Sequence, residues 1–223
     1  MFQGQALHYL LLAVLLAGVV AVADADVLAG QFLGLPTGDW LVIAIAVPIL
    51  HQFYVWLAWR SELHHAWISR TFGRPAGFRY YAVGFAILFV SRLLTIIALA
   101  LANRNSLHLS PALARVLAFG LLLPVLYLSY SVVRFFGVER ALGIDHFDAR
   151  YRTVPLVNAG IFRFTDNGMY MCGFLALWIP SLLWRSRAAL LAALFNHLYI
   201  WVHYYCTELP DMRQIYGSAT KPK

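Results

Sequence analysis

The stretch GIFRFTDNGMYMCGF, residues 160–174, leads from a basic, aromatic loop into an apolar segment. Behind it the chain stays apolar to Trp184, and a second apolar segment follows at 188–206. Only Arg185, Ser186 and Arg187 separate the two segments, which predicts an antiparallel helical hairpin with a tight turn. Residues just before the first segment and just after the second should therefore meet at one membrane surface.

The composition is that of a membrane protein. Of the 223 residues, 61% are hydrophobic and 12% are charged, and the mean hydropathy is +0.69. Soluble domains carry about 25% charged residues. The net charge of +7 is typical of a surface that meets anionic lipid headgroups, so no nucleic-acid partner is predicted. The two cysteines lack the spacing of a metal site, and no metal is predicted.

Six apolar runs predict an all-α membrane protein, because a helix needs about 20 residues to cross the hydrocarbon layer. The last two runs form the tight hairpin. Residues 1–134 are interpreted as four N-terminal transmembrane helices, and residues 135–223 as a second region that contains the basic connection, the hairpin and the C-terminal tail. The six predicted spans are 5–23, 40–59, 80–102, 112–133, 168–184 and 188–206.

The distribution of arginines predicts the orientation. Connections 60–79 and 134–167 are rich in arginine, whereas connection 24–39 contains three aspartates and no Lys or Arg. The positive-inside rule places the two basic connections, and the C-terminus with Lys221 and Lys223, in the cytoplasm. The prediction is a multi-pass protein, in the inner membrane if the cell is bacterial. Three arginines oppose this orientation: Arg104, Arg185 and Arg187.

The sixth predicted span carries polar residues that lipid would not tolerate. It reads ALFNHLYIWVHYYCTELPDMRQIYG over residues 193–217. At 100° per residue these side chains form two adjacent stripes, which must face protein, water or a polar ligand. An interhelical hydrogen-bond network and a ligand site are both compatible with this pattern. One stripe holds Asn196, His203 and Thr207, and the other holds His197, Tyr204 and Glu208.

Two segments resemble those of a known enzyme family. The stretch GIFRFTDNGMY resembles the GxYxxxRHPxY motif of integral-membrane isoprenylcysteine carboxyl methyltransferases and phospholipid methyltransferases. In phosphatidylethanolamine N-methyltransferases the corresponding residues read DNPMY, which is closer. The stretch TELPDMRQIYG is similar to the EEP…EIY ending of the same family. The resemblance covers residues 140–217.

The resemblance implies an S-adenosylmethionine pocket at the cytoplasmic face, with a lipid substrate entering beside it. Carried over by position, the cofactor-binding residues are Asp166, Asn167, Tyr170 and Glu208. The family proline is replaced by Gly168, and its second glutamate by Leu209. The acids that could replace this glutamate are Asp145, Asp211 and Glu139.

The chemistry of these residues suits that cofactor. A carboxylate such as Glu208 accepts charge-assisted hydrogen bonds from an α-ammonium or a ribose diol, and Arg163 can clamp a carboxylate or a lipid phosphate. An amine substrate must lose a proton before it attacks a methyl group. The candidate proton acceptors, which we treat as catalytic, are Glu208, His203 and His146.

The sequence does not identify the molecule that accepts the methyl group. A phospholipid amine is the acceptor that the resemblance favours, and a thiol or a prenyl-cysteine carboxylate is an alternative within the same enzyme class. A non-enzymatic membrane protein, such as a haem-b carrier or small transporter, is the alternative outside it, because His51, His197 and His203 lie in or near the predicted spans. The number of methyl groups transferred and the oligomeric state are also open.

Overall fold

The computed structural model describes residues 1–155 and 157–217; Lys221 and Lys223, predicted to be cytoplasmic, lie outside this part of the chain. The fold is a helical bundle with one two-stranded hairpin, in which Gln31–Phe32 (β1) pairs antiparallel with Leu35–Pro36 (β2). The first five helices are Gln5–Val22 (α1), Ala25–Leu28 (α2), Thr37–His65 (α3), Trp67–Phe72 (α4) and Arg74–Ala102 (α5). They are followed by Pro111–Ser131 (α6), Val138–Ala141 (α7), Trp178–Leu183 (α8), Arg187–His203 (α9) and Leu209–Tyr216 (α10).

The first four predicted spans are confirmed as helices. Within the described residues, four helices are long and apolar enough to cross a membrane: Gln5–Val22, Thr37–His65, Arg74–Ala102 and Pro111–Phe136. The fourth of these is α6 extended by a π-helical turn, Val132–Phe136. The second and third are longer than predicted because polar turns continue each helix beyond its apolar run.

The fifth and sixth segments form the predicted hairpin, but they are shorter and less regular than ordinary spans. Met169–Leu183 is an apolar helical segment built from a π turn (Met169–Gly173), a 3₁₀ turn (Phe174–Leu177) and α8. It packs against α9. The turn between them is closed by Ser186, whose Oγ accepts a hydrogen bond from the Ala189 amide at 3.1 Å. The predicted total of six membrane spans stays a prediction.

Helix α9 lies at the centre of the bundle. Alanines line one side of it, and all four are fully buried against apolar residues of α3 and α5. Small side chains let helix backbones approach closely, which is the packing that membrane helices favour. The central position of α9 brings polar residues at its C-terminal end into contact with α1, α3 and the fifth segment. The four alanines are Ala188, Ala189, Ala192 and Ala193.

The N-terminal segment packs directly on the end of α9. Gly4 has φ +81°, and a Cβ there would lie 2.3 Å from the Cys206 carbonyl oxygen, so only glycine fits. At the next residue, Gln5 Nε2 donates to Thr207 Oγ1 at 3.1 Å. These contacts hold α1 against the end of α9, next to the residues that the sequence singled out.

Candidate active site

Two π-helical turns face each other where the hairpin opens. One is Met169–Gly173 and the other is Tyr204–Glu208, which continues α9 directly into α10. The Tyr170 hydroxyl donates a hydrogen bond to Glu208 Oε2 across them. Single π turns inserted in helices occur often at functional sites. The hydrogen bond between Tyr170 and Glu208 confirms that the two ends of the hairpin meet, as its antiparallel geometry predicted.

Aromatic rings enclose this hydrogen bond. The Tyr170 ring lies edge-on to Trp201 at 5.9 Å between centroids and 5.5 Å from Tyr204. The side chain of Asn167 lies at hydrogen-bonding distance from the Tyr204 hydroxyl, and Asp166 is within electrostatic range of it. The structure thus brings Asn167 and Tyr170 together with Tyr204 and Glu208, and the exposed Asp166 lies at the rim.

Burial changes the acidity of Glu208, which follows the last predicted span. Desolvation raises the pKa of this carboxyl to about 7, while the hydrogen bond from Tyr170 acts in the opposite direction. Asp145 and Asp211 also raise the pKa by electrostatic repulsion, and His146 lowers it. Glu208 is therefore poised to change its charge near neutral pH.

The two polar stripes of α9 face different partners. In the first stripe, Asn196 donates to the Ala192 carbonyl at 2.9 Å, and His203 is buried within 6.3 Å of the His8 ring. In the second stripe, His197 Nδ1 accepts from the Trp178 indole at 3.1 Å, and Glu208 bonds to Tyr170. The candidate His203 consequently points toward α1 and α3, whereas Glu208 points toward the fifth segment.

His146 sits in a buried acidic setting close to Glu208. Its Nδ1 lies 3.1 Å from Asp145 Oδ1 and 3.2 Å from the Gly143 carbonyl oxygen. Both neighbours are acceptors, so Nδ1 carries the proton in the neutral ring and Nε2 is left as the basic nitrogen. Nε2 is buried without a hydrogen bond and lies 3.8 Å from Asp211 Oδ2. The ring stacks on Trp59 at 4.2 Å.

Arg60 ties the N-terminus, α3 and the end of α9 together. Its Nε donates to Asp211 Oδ1 at 3.0 Å, with both side chains almost fully buried. Its terminal nitrogens donate to backbone carbonyls, those of Met1 and Gln3 at 2.7 and 2.6 Å and, at longer range, those of Cys206 and Thr207. This ion pair positions the turn that carries Glu208.

Two aromatic residues near the site, Trp59 and Tyr81, were not predicted as site residues. The Trp59 indole N–H and the Tyr81 hydroxyl are buried next to each other, and neither has a hydrogen-bond partner of normal geometry among the described residues. Tyr81 is also within electrostatic range of Glu208. Of the acids considered as replacements for the missing glutamate, Asp145 and Asp211 contact His146, whereas Glu139 accepts from the Tyr151 hydroxyl.

Arg163 and Gly168 lie shortly before the π turn Met169–Gly173. Arg163 is exposed on the 3₁₀ turn Gly160–Arg163, and the structure does not bring it into contact with Tyr170 or Glu208. Gly168 has φ −53° and ψ −36°, a helical conformation that proline also adopts.

A basic cavity lies beside His146, on the side of the basic connections. It has a volume of about 230 Å³. Arg152 is held there by hydrogen bonds to the carbonyls of Asp145 at 3.0 Å and His146 at 3.3 Å. Among the described residues, Glu62 is the one acid in the lining, and it already accepts from the Ser69 amide. The other charged or titratable lining residues are His64, His65, Arg70 and Arg74.

Comparison with protein families supplies the class of the protein. The family model described as phospholipid methyltransferase matches residues 113–219, so this part of the chain is similar to that family. With the four membrane-length helices, the match supports an integral-membrane methyltransferase. The match begins within α6, ahead of the boundary predicted at residue 135, and that boundary stays a prediction. Comparisons with curated proteins and with solved structures gave no significant match.

Proposed function

We propose that the protein transfers methyl groups from S-adenosylmethionine to a phospholipid amine at the cytoplasmic surface of the membrane. The observation that carries this proposal is the contact between Tyr170 and Glu208, which joins the two family-like segments within one aromatic site. S-adenosylmethionine supplies an electrophilic methyl group on a sulfonium centre. Besides a base that takes the proton of the amine, the reaction requires positioning of the two substrates and exclusion of water, to which the half-buried aromatic site contributes.

The residues present fit this cofactor. Glu208 is the acceptor for its ammonium or ribose hydroxyls. Asn167 offers both a donor and an acceptor for the adenine edge or the carboxylate. The rings of Tyr170, Trp201 and Tyr204 supply faces that attract a cation. Asp166 and Arg163 complete the proposed cofactor-binding set from the rim, where both are exposed.

His146 is the proton acceptor that we favour among Glu208, His203 and His146. Its protonated Nδ1 leaves Nε2 available, and the imidazolium that forms would lie between Asp145 and Asp211. His203, in contrast, has the cations Arg60 and Arg92 and two further histidines as its electrostatic neighbours.

The basic cavity beside His146 favours a phospholipid over the other acceptors. Arginine guanidiniums bind phosphate through paired hydrogen bonds, and Arg152 is held in place by the backbone while Arg70 and Arg74 are exposed. A phosphate bound there would bring the headgroup next to His146, which lines the cavity and is within electrostatic range of Glu208. Thiols lack such an anion, and a prenyl-cysteine carries only its carboxylate.

Transfer of methyl label tests the function directly. Purified protein in lipid nanodiscs would receive methyl-labelled S-adenosylmethionine with phosphatidylethanolamine, a prenyl-cysteine or an alkyl thiol. We expect label in phosphatidylethanolamine derivatives, and a His146→Gln variant should lose about 100-fold in turnover while keeping its cofactor affinity. Label only in the thiol or the prenyl-cysteine would contradict the proposed acceptor. Cofactor binding without any transfer would contradict the proposed reaction.

Cofactor affinity should depend on pH through Glu208. The pKa of about 7 means that the carboxylate is mostly protonated at pH 6 and mostly ionised at pH 8. Because the ionised form attracts the cationic cofactor, affinity should rise about tenfold from pH 6 to pH 8. Equilibrium binding across this range measures it, and a Glu208→Gln variant should show a flat profile. Tighter binding at pH 6 would contradict the assignment.

A further inference from the structure

A second basic cavity lies at the end of the bundle opposite the candidate site. It has a volume of about 400 Å³ and is formed where the α5–α6 loop meets the turn between α8 and α9. Helix α9 has 17 residues, so this turn is about 25 Å from the π turn that carries Glu208. Three arginines line the cavity, Arg104, Arg115 and Arg185, together with Asn105 and Trp184.

The positive charge in this cavity is not balanced by nearby acids. No carboxylate lines it among the described residues. Two of the three aspartates of the adjacent connection 24–39 are already engaged, because Arg187 binds Asp24 at 2.9 Å and Asp26 at 3.2 Å. Arg104 is exposed and makes no hydrogen bond or ion pair with any residue in the described ranges. Three uncompensated guanidiniums around one cavity are an arrangement that attracts an anion.

The backbone holds these groups in place before any ligand arrives. The Asn105 amide donates to the Trp184 carbonyl at 2.9 Å, and the Leu107 amide donates to the Arg185 carbonyl at 2.8 Å. Asn105 and Arg185 both have positive φ, 65° and 50°, a conformation that costs energy for residues other than glycine. The Arg185 guanidinium donates to the Asn105 side chain and to the Leu109 carbonyl. Arg115 Nε is anchored on the Pro111 carbonyl at 3.1 Å.

The surroundings of the cavity indicate what kind of anion fits. Helix α6 begins at its edge with Pro111, and the amide dipoles of a helix N-terminus favour a bound phosphate. Trp184 and Leu183 complete the wall, and tryptophan is enriched at the level of lipid headgroups. A soluble anion would not need this apolar side, whereas a phospholipid would rest its glycerol and acyl chains against it.

We propose that this cavity binds the phosphate of an anionic phospholipid in the leaflet facing away from the candidate active site. The site accounts for Arg104 and Arg185, two of the arginines that oppose the positive-inside pattern. It is independent of the methyltransferase proposal, because it shares no residue with the Tyr170–Glu208 site.

Thermal unfolding of the full-length protein in detergent tests the proposal. The probes are short-chain phosphatidylglycerol, short-chain phosphatidylcholine and inorganic phosphate. We expect phosphatidylglycerol to raise the Tm in a saturable way and phosphatidylcholine to have a much smaller effect. The double variant Arg104→Gln/Arg115→Gln should weaken the apparent affinity for phosphatidylglycerol at least about tenfold, the order of effect for lost charge-assisted hydrogen bonds.

Controls separate the possible outcomes. Arg79→Gln removes an exposed arginine near the other end of α5 and should leave the lipid effect unchanged. If the double variant does not fold, the single Arg104→Gln variant replaces it, since that side chain has no partner to lose. An unchanged affinity in these variants, or an equal loss in Arg79→Gln, would overturn the proposal. An equal Tm shift with inorganic phosphate would overturn the lipid as the source of the phosphate.

Discussion

Glu208→Gln is expected to weaken binding of S-adenosylmethionine about 100-fold while leaving the protein folded. The carboxylate is the charged acceptor of the proposed site, and a hydrogen bond to a charged group contributes about 1.5–3 kcal/mol. Loss of one or two such bonds corresponds to a change of about two orders of magnitude in Kd. The glutamine oxygen can still accept from Tyr170, so the contact between the two π turns is retained. Equilibrium binding to the purified variant measures the effect.

Glu139→Gln is the matched control. Glu139 carries the same carboxylate but is exposed and bonded to Tyr151, and this variant should bind the cofactor as the wild type does. Glu208→Ala should lose binding as completely as Glu208→Gln, because the charge and not the volume is decisive. Wild-type affinity in Glu208→Gln, with the control also unchanged, would refute the assignment of the cofactor to this carboxylate.

Asp211→Asn is expected to cause the largest loss of stability of any single substitution in the site region. It leaves the guanidinium of Arg60 without a charged partner in a setting where both side chains are almost fully buried. Removing one partner of a buried ion pair costs about 3–5 kcal/mol. Arg60 also holds the backbone of Met1 and Gln3, so the N-terminal segment should loosen with it. A lower Tm in detergent and faster proteolysis near the N-terminus measure the effect.

Asp148→Asn provides the comparison for this prediction. Asp148 pairs with Arg150 at 2.6 Å, but the arginine side chain is 87% exposed. Exposed ion pairs contribute about 0–1 kcal/mol, so this substitution should be nearly neutral. If Asp211→Asn were no more destabilising than Asp148→Asn, the Arg60–Asp211 pair would not hold the end of α9 in place.

The large elements of the fold were predictable because a helix that crosses a lipid bilayer needs about 20 predominantly apolar residues in a row. The long apolar runs predicted the four long helices, and the three residues Arg185, Ser186 and Arg187 predicted the turn of the hairpin. The hairpin in turn predicted that Tyr170 and Glu208 lie together, which the hydrogen bond between them confirms. These inferences need only helix length and antiparallel geometry, both of which can be read from local sequence.

The finer features of the site depend on contacts between distant segments. The π turns at Met169–Gly173 and Tyr204–Glu208 have no sequence signature that distinguishes them from α-helix. Helical periodicity predicts the two stripes of α9 but does not predict that they face different partners. The structure separates them, with His203 on the side of α1 and α3. Trp59 and Tyr81 lie on helices that the family motifs do not include. Only packing reveals that they border the same site.

The location of the cofactor can be tested by ultraviolet crosslinking of methyl-labelled S-adenosylmethionine, followed by trypsin digestion and identification of the labelled peptides. We expect the label on Tyr170, Trp201 or Tyr204, and hence in the peptides 164–185 and 188–213. Excess unlabelled S-adenosylhomocysteine should prevent the labelling. Label confined to peptides of α1 to α5, with the same protection by S-adenosylhomocysteine, would contradict the placement of the cofactor between the two π turns.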